Sequence, residues 1–181
     1  PHAASRNRYR AACSAVIHLS GGTALAAYHL HHRTSDDLDF FAADEPDTVF
    51  LEKFSETVKD VLAAREARFE RVHDRRIFFF VFSEGELKVE FTRYPFPQLE
   101  PPVVRDGVRV DGLRDLAANK LRALLDRFEP KDFVDLYFVF RMMPLKGVWQ
   151  NTEQKFGMKI EPLFLGGELM KARRIEALPK M

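Results

Sequence analysis

Three groups of residues in this chain have types and spacings suited to chemistry on phosphates. The first is Ser20 to Thr23, where Gly21-Gly22 lead into the helix-forming run TALAAYHLHH. A glycine pair lets backbone N–H groups come close to an anion, and Thr23 can either cap the helix or bond a phosphate oxygen. The same pair also makes a plain turn. The second group is Asp37 and Asp39, two apart in a strand-like stretch, so both carboxylates share one face while Leu38 and Phe40 share the other. Adjacent carboxylates repel, and a divalent cation between them removes that cost. A polar surface strand is the plainer alternative, and Asp36 points the other way. Glu90 is the candidate third acid: Leu87, Val89 and Phe91 alternate with Lys88, Glu90 and Thr92. Were that strand to lie beside Asp37 and Asp39, three carboxylates would form a cage for Mg²⁺ held jointly with substrate phosphates.

The third group lies in two later helical stretches. Lys120 falls on the stripe Leu113, Ala117, Lys120, Leu124, Phe128. It either snorkels out along its stem or aims an ammonium into a cleft at phosphate oxygens. Arg127 lies near the same stripe, suited to orienting an acid through a bidentate pair. Asp132 and Asp135 sit three apart in a run that is apolar nearly all round, which predicts a buried helix and a buried, paired Asp135. Asp132 is in the first turn, where the helix dipole favours a carboxylate. Structural ion pairing with Arg122, Arg127 or Lys131 is the alternative for both acids.

The elements that must position these groups follow from periodicity. Short strands are expected at Ala15 to Leu19 and Leu38 to Phe41, and between them the run Thr23 to His32 reads as a helix starting at the glycine pair. Phe50, Leu51, Phe54, Val58, Val61 and Leu62 recur at helical spacing, predicting a helix from Thr48 to about Arg68. Arg76 to Phe82 and Glu86 to Tyr94 read as strands joined at Ser83-Glu84-Gly85, and Val103-Val104 and Val108 to Val110 flank the turn Asp106-Gly107. The remainder is helical: Leu113 to Phe128, Lys131 to Met143, Trp149 to Phe156 and Gly167 to Ala177. A further short helix is expected over residues 6 to 14. The class is α+β, a mixed sheet with flanking helices followed by a helical C-terminal part, divided as residues 1 to 111 and 112 to 181.

Composition narrows the setting. The chain has 181 residues, 46% hydrophobic and 30% charged with seventeen Phe, which is ample for a core. A net charge of +1 announces no general nucleic-acid or membrane field. Charge is nonetheless uneven: Arg6, Arg8, Arg10 and Arg33 precede position 36 with no acid among them, whereas residues 36 to 60 hold nine acids against Lys53 and Lys59. Cys13 is the single cysteine, so no intramolecular disulfide forms. No apolar run is long enough to span a membrane, and the expected setting is cytoplasmic. Opening on Pro1 leads us to expect an N-terminus that is missing or processed.

GGTALAAYHLHHRTSDDLDFF followed by NKLRALLDRFEPKDFVDLYFVF resembles the AbiEii/AbiGii-type nucleotidyltransferases, toxins of bacterial toxin–antitoxin and phage-defence systems within the DNA polymerase β nucleotidyltransferase superfamily. The resemblance covers roughly residues 15 to 142. It implies that Gly21, Gly22 and Thr23 cradle the phosphates of a nucleoside triphosphate, and that Asp37 and Asp39 hold metal, with Glu90 completing the set. It further implies that Lys120 is the phosphate-binding lysine, that Asp132 is the acid of the K-D-x-x-D motif, and that Asp135 beside it contributes to nucleotide binding. Two Mg²⁺ ions and an NTP substrate follow from it. The implied acceptor is a hydroxyl of RNA or tRNA, with Arg6, Arg8, Arg10 and Arg33 as backbone contacts. A protein or a small molecule such as an aminoglycoside is the alternative acceptor. Water as acceptor would make the protein a phosphohydrolase, and loss of turnover would leave a silent binding protein. A cognate antitoxin is an implied partner, and a monomer is expected. Two departures stand out: Gly22-Thr23 replaces the frequent Gly-Ser, and the C-terminal part is shorter than in many members.

Overall fold

The computed structural model describes residues 16 to 181. The helix expected over residues 6 to 14 lies outside the described residues, as do His2, Arg6, Arg8, Arg10 and Cys13. The architecture is α+β, with strands in both parallel and antiparallel pairing. The chain forms two compact units, one of Asp36–Pro95 with the residues up to His18, the other of Leu19–Ser35 with Phe96–Met181.

In the first unit, β2 (Asp37–Ala42), α2 (Thr48–Val61), β3 (Glu66–Val72), β4 (Arg75–Val81) and β5 (Glu86–Arg93) follow in chain order. The strands lie in the order β3-β4-β5-β2, antiparallel except for the parallel pair β5/β2. Alternation decides which face is covered. Leu38, Phe40, Phe78, Phe80, Leu87, Val89 and Phe91 all join one apolar cluster with Phe50, Leu51, Phe54 and Val58 of α2. Phe80 is fully buried there, worth roughly 1.5–3 kcal/mol of transfer free energy. The residues between them, Asp37, Asp39, Lys88 and Glu90, therefore turn to the opposite face.

α2 opens with Asp47, whose carboxylate accepts the N–H groups of Val49 (2.7 Å) and Phe50 (3.3 Å). It ends well short of the expected Arg68. Ala63 adopts a left-handed conformation (φ 53°), Ala64 N–H bonds back to Lys59 O, and Arg65 N–H bonds Val81 O, starting an unforeseen strand on β4. Val61 and Leu62, assigned to the apolar stripe, are exposed.

In the second unit, Leu19 of β1 (His18–Ser20) pairs in parallel with Val110 of β7 (Val108–Val110), and β7 pairs antiparallel with β6 (Val103–Arg105). The β6–β7 turn places Asp106 and Gly107 at φ 50° and 80°, as the Asp-Gly signal requires. The first helix differs in detail from its expectation. It begins at the glycine pair, as expected, but runs as α1 only from Gly21 to Leu25 and widens into a π-helical turn over Ala26–Leu30 before His31 ends it left-handed. Thr23 therefore lies inside the helix and does not cap it.

α3 (Leu113–Asp126), α4 (Pro130–Met142), α5 (Leu145–Phe156) and α6 (Pro162–Met170) complete the unit, with a 3₁₀ turn over Lys171–Arg174. α5 starts earlier than expected because Pro144 stands at its N-cap. α6 replaces the helix expected at Gly167 to Ala177, with Pro162 opening it five residues upstream. Among the described residues no helix is long and apolar enough to cross a membrane.

Candidate active site

In the first unit the register sets the acids side by side. Asp37 is opposite Lys88 and Asp39 opposite Glu90 on the parallel pair β2/β5, so all four side chains leave from one face. The Asp37 side chain is 42% exposed, with Lys88 Nζ at 3.8 Å. Glu90 is buried and bound differently from the expectation. Arg75 of β4 donates Nε and Nη2 to its two carboxylate oxygens, Thr92 Oγ1 donates at 2.8 Å, and Lys88 Nζ stands 3.4 Å away. Burial alone would raise the Glu90 pKa; the Arg75 and Thr92 hydrogen bonds and the Arg75 and Lys88 charges outweigh it and hold the pKa below the usual carboxylate range. Arg75 is correspondingly raised, first by its hydrogen bond to Glu90, with the Asp39 charge adding to it.

This arrangement tests the fit of a divalent cation. Two carboxylates projecting from alternate positions of β2 suit a cation that completes its shell with water and phosphate oxygens. Glu90 does not suit one here, because a guanidinium occupies both of its oxygens. Among the described residues, no group of three or more His, Cys, Asp or Glu stands close enough to hold a metal. The expected three-carboxylate cage is thus two carboxylates beside a Glu–Arg pair. Sequence reading missed Arg75, whose signal was the Arg75-Arg76 pair opening an otherwise apolar strand.

The second unit holds the glycine turn and the charged residues of α3 and α4. Gly21 takes φ 65°, and Thr23 Oγ1 donates at 3.5 Å to Ser35 O. Lys120, on the apolar stripe of α3, is buried and does not snorkel. Its Nζ lies 2.8 Å from Asp132 Oδ1 and 2.7 Å from Asp135 Oδ2. Both aspartates are fully buried on α4. Asp132 also accepts from Arg127 Nε at 3.0 Å, the pairing foreseen for that arginine, whereas Arg122 pairs with Asp126 instead.

Asp135 is the most heavily bonded acid of the group. Arg33 donates to it from Nε (2.6 Å) and Nη2 (2.9 Å), and His32 Nε2 lies 2.7 Å from Oδ1. Burial pulls its pKa upward, but Arg33 and Lys120 together prevail and lower it. Arg33 was expected to contact an RNA backbone; its side chain is instead 4% exposed, with Nη1 donating to Thr34 O. Its charge is spent inside the protein.

A family model described as nucleotidyl transferase AbiEii toxin, type IV TA system, matches residues 7–176. An uncharacterized protein of Aquifex aeolicus (strain VF5), aq_aa25, is 34% identical over 127 residues, 69% of this chain and 58% of that protein. This chain therefore spans less than two thirds of that relative's length. Among solved structures, JHP933 from Helicobacter pylori is similar with a TM-score of 0.55 at 17% identity, covering 87% of this chain and 85% of that one. The antibiotic-resistance factor ANT(2'')-Ia gives 0.51 at 15%, covering 83% and 84%. The Megavirus polyadenylate synthase gives 0.51 at 14%, covering 71% of this chain and 28% of that one. At these identities the structural likeness speaks to the fold.

Proposed function

The chain belongs to the AbiEii nucleotidyl transferase toxin family, and from that premise we propose that it transfers a nucleotide from an NTP to a hydroxyl of RNA, such as tRNA, as the toxin of a toxin–antitoxin or phage-defence pair. The observation that carries the reading is Asp37 and Asp39 standing together on the strand face that α2 does not cover. Lys88 lies 3.8 Å from Asp37, and Arg75 feels the charge of Asp39, so the pair sits beside cationic groups on that face.

In this reading Asp37 and Asp39 hold Mg²⁺, which supplies Lewis-acid activation of the acceptor hydroxyl and neutralisation of the leaving pyrophosphate. Gly21, Gly22 and Thr23 receive the triphosphate oxygens, and Lys120 donates to the phosphate charge that grows as the bond breaks. The acceptor oxygen bonds to the α-phosphorus, the bond from that phosphorus to the β-phosphate oxygen breaks, and pyrophosphate departs. The hydroxyl proton passes to a carboxylate of the β2 face. Glu90 is a weak base while Arg75 holds it, so its part is to keep that guanidinium in place beside Asp39. Asp132 holds Lys120, and Asp135 serves through the same ammonium instead of touching nucleotide. Most of the rate enhancement is positioning and electrostatics, as in phosphoryl transfer generally.

The test is incubation with each α-labelled NTP, Mg²⁺ and total cellular RNA, with protein and aminoglycoside acceptors in parallel. Label on RNA, with one pyrophosphate per label, is the expected result, and Asp39→Ala or Lys120→Ala should abolish it in a folded protein. Label on protein or a small molecule would change the acceptor and keep the reaction. Free nucleoside monophosphate alone would sink the transferase reading in favour of hydrolysis. Expression from an inducible promoter should arrest growth, and Asp39→Ala should relieve the arrest.

A further inference from the structure

The Lys120 cluster contains two side chains that the mechanism above does not use, Arg33 and His32. Their placement is tied to the glycine turn within the same unit. A Cβ added to Gly22 would come within 2.6 Å of Arg33 Nη2 and 3.0 Å of Ser35 Oγ. The guanidinium therefore fills the space that the missing side chain leaves. From there it reaches both oxygens of Asp135, a two-bond fork that fixes the plane of the carboxylate as well as its position. Oδ2 of that carboxylate is 2.7 Å from Lys120 Nζ, and Asp132 Oδ1 takes a second ammonium hydrogen at 2.8 Å. An ammonium has three donors, so two fixed bonds leave the third on one line. A flexible four-carbon stem becomes a directed donor in this way.

We propose that Arg33 is a positioning residue that couples the glycine turn to Lys120: it packs against Gly22, clamps Asp135, and through Asp135 aims the Lys120 ammonium. His32, whose ring centroid lies 4.8 Å from that of Phe138, braces the same carboxylate at Oδ1. The importance of aiming Lys120 rests on the reading of Lys120 as a phosphate donor; the coupling itself does not. Simple neutralisation of a buried carboxylate needs a cation of any shape. The coupling needs the fork.

Arg33→Lys separates these two roles, since it keeps the charge and loses the bidentate geometry. Gly22→Ala approaches the same coupling from the turn, by pushing on the guanidinium. The full chain and each variant are first shown to be folded by circular dichroism. Reductive methylation of Lys120 is then followed by mass spectrometry, alongside kcat and KM for nucleotide transfer. In the parent protein Lys120 is buried and should be methylated slowly. In Arg33→Lys the rate should rise about tenfold or more, and kcat should fall roughly 10- to 100-fold with a smaller change in KM, the scale seen when an outer partner of a functional group is removed. Gly22→Ala should do the same, and Gly22→Ala/Arg33→Lys should be little worse than either alone. If Arg33→Lys fails to fold, Gly22→Ala decides by the same methylation readout. Parent-like protection of Lys120 in the folded variant overturns the proposal. Should the parent transfer no nucleotide to any acceptor, the functional reading falls, and the methylation rates still decide the coupling.

Discussion

Lys155 and Asp115 allow the buried charges of the second unit to be sorted by purpose. Their side chains are 2% and 0% exposed and form an ion pair, and Asp115 also accepts the N–H groups of Leu99 (3.0 Å) and Glu100 (3.1 Å). Lys155→Met keeps the apolar stem and leaves the carboxylate with backbone donors and no cation. Breaking one side of a buried pair costs about 3–5 kcal/mol, and the retained N–H bonds put this case near the lower end. In a chain of this size each kcal/mol shifts Tm by roughly 2–4 °C, so a fall of about 6–12 °C is expected in calorimetry. Lys155→Met/Asp115→Asn should recover part of the loss, because no unpaired charge then remains buried. Lys120→Met is the contrast. Asp135 keeps Arg33 and His32, and Asp132 keeps Arg127, so its stability cost should be only about 1–2 kcal/mol. Transfer should survive in Lys155→Met below its melting range and vanish in Lys120→Met. A Tm change under about 2 °C for Lys155→Met, or greater loss of transfer there than in Lys120→Met, would refute this division.

Asp37→Asn and Asp39→Asn should each abolish transfer while leaving the unfolding transition within about 0.5 kcal/mol of the parent, as for substitutions outside the packed face; a folded variant with full activity removes that residue from the mechanism. Because the Asp135 pKa is lowered on folding, its contribution to stability is present above the unfolded value near 3.9 and is lost as pH falls through the lower folded value. Urea titrations from pH 6 downward should therefore show Asp135→Asn losing less stability than the parent, and equal slopes would contradict the pairing. Ala63→Gly should raise the urea midpoint by the equivalent of about 1 kcal/mol, since φ 53° strains alanine and not glycine. An unchanged or lower midpoint would speak against a strained end to α2.

Much of the site was legible because its residues violate the pattern of their own element. Asp37 and Asp39 alternate against Leu38 and Phe40, and Lys120 interrupts an apolar stripe, so a period of 3.6 singled that lysine out while leaving open whether it snorkels or is buried. Asp132 and Asp135 stood out for the same reason. What the local pattern lacks is partner identity. Arg33 looked like part of a basic segment because its neighbours in the chain are basic, whereas its carboxylate partner lies 102 residues later. Glu90 was placed on the correct face, but the arginine that claims it comes from a strand that must first fold beside it. The missed strand β3 has a similar origin. Ala63 and Ala64 favour a helix locally, and only pairing with β4 and the left-handed turn at Ala63 override them. The β3–β4 turn uses His73-Asp74 with no glycine, so it carried little hairpin signal.

The account stands on nucleotidyl transfer that requires the β2 carboxylates. Parallel reactions with α-labelled and γ-labelled NTP, the parent protein, Asp39→Asn, Mg²⁺ and total RNA measure this directly. The account predicts α-label on the RNA and γ-label in pyrophosphate for the parent, and neither for the variant. γ-label on the acceptor, γ-label released as inorganic phosphate, or transfer undiminished by Asp39→Asn would contradict it.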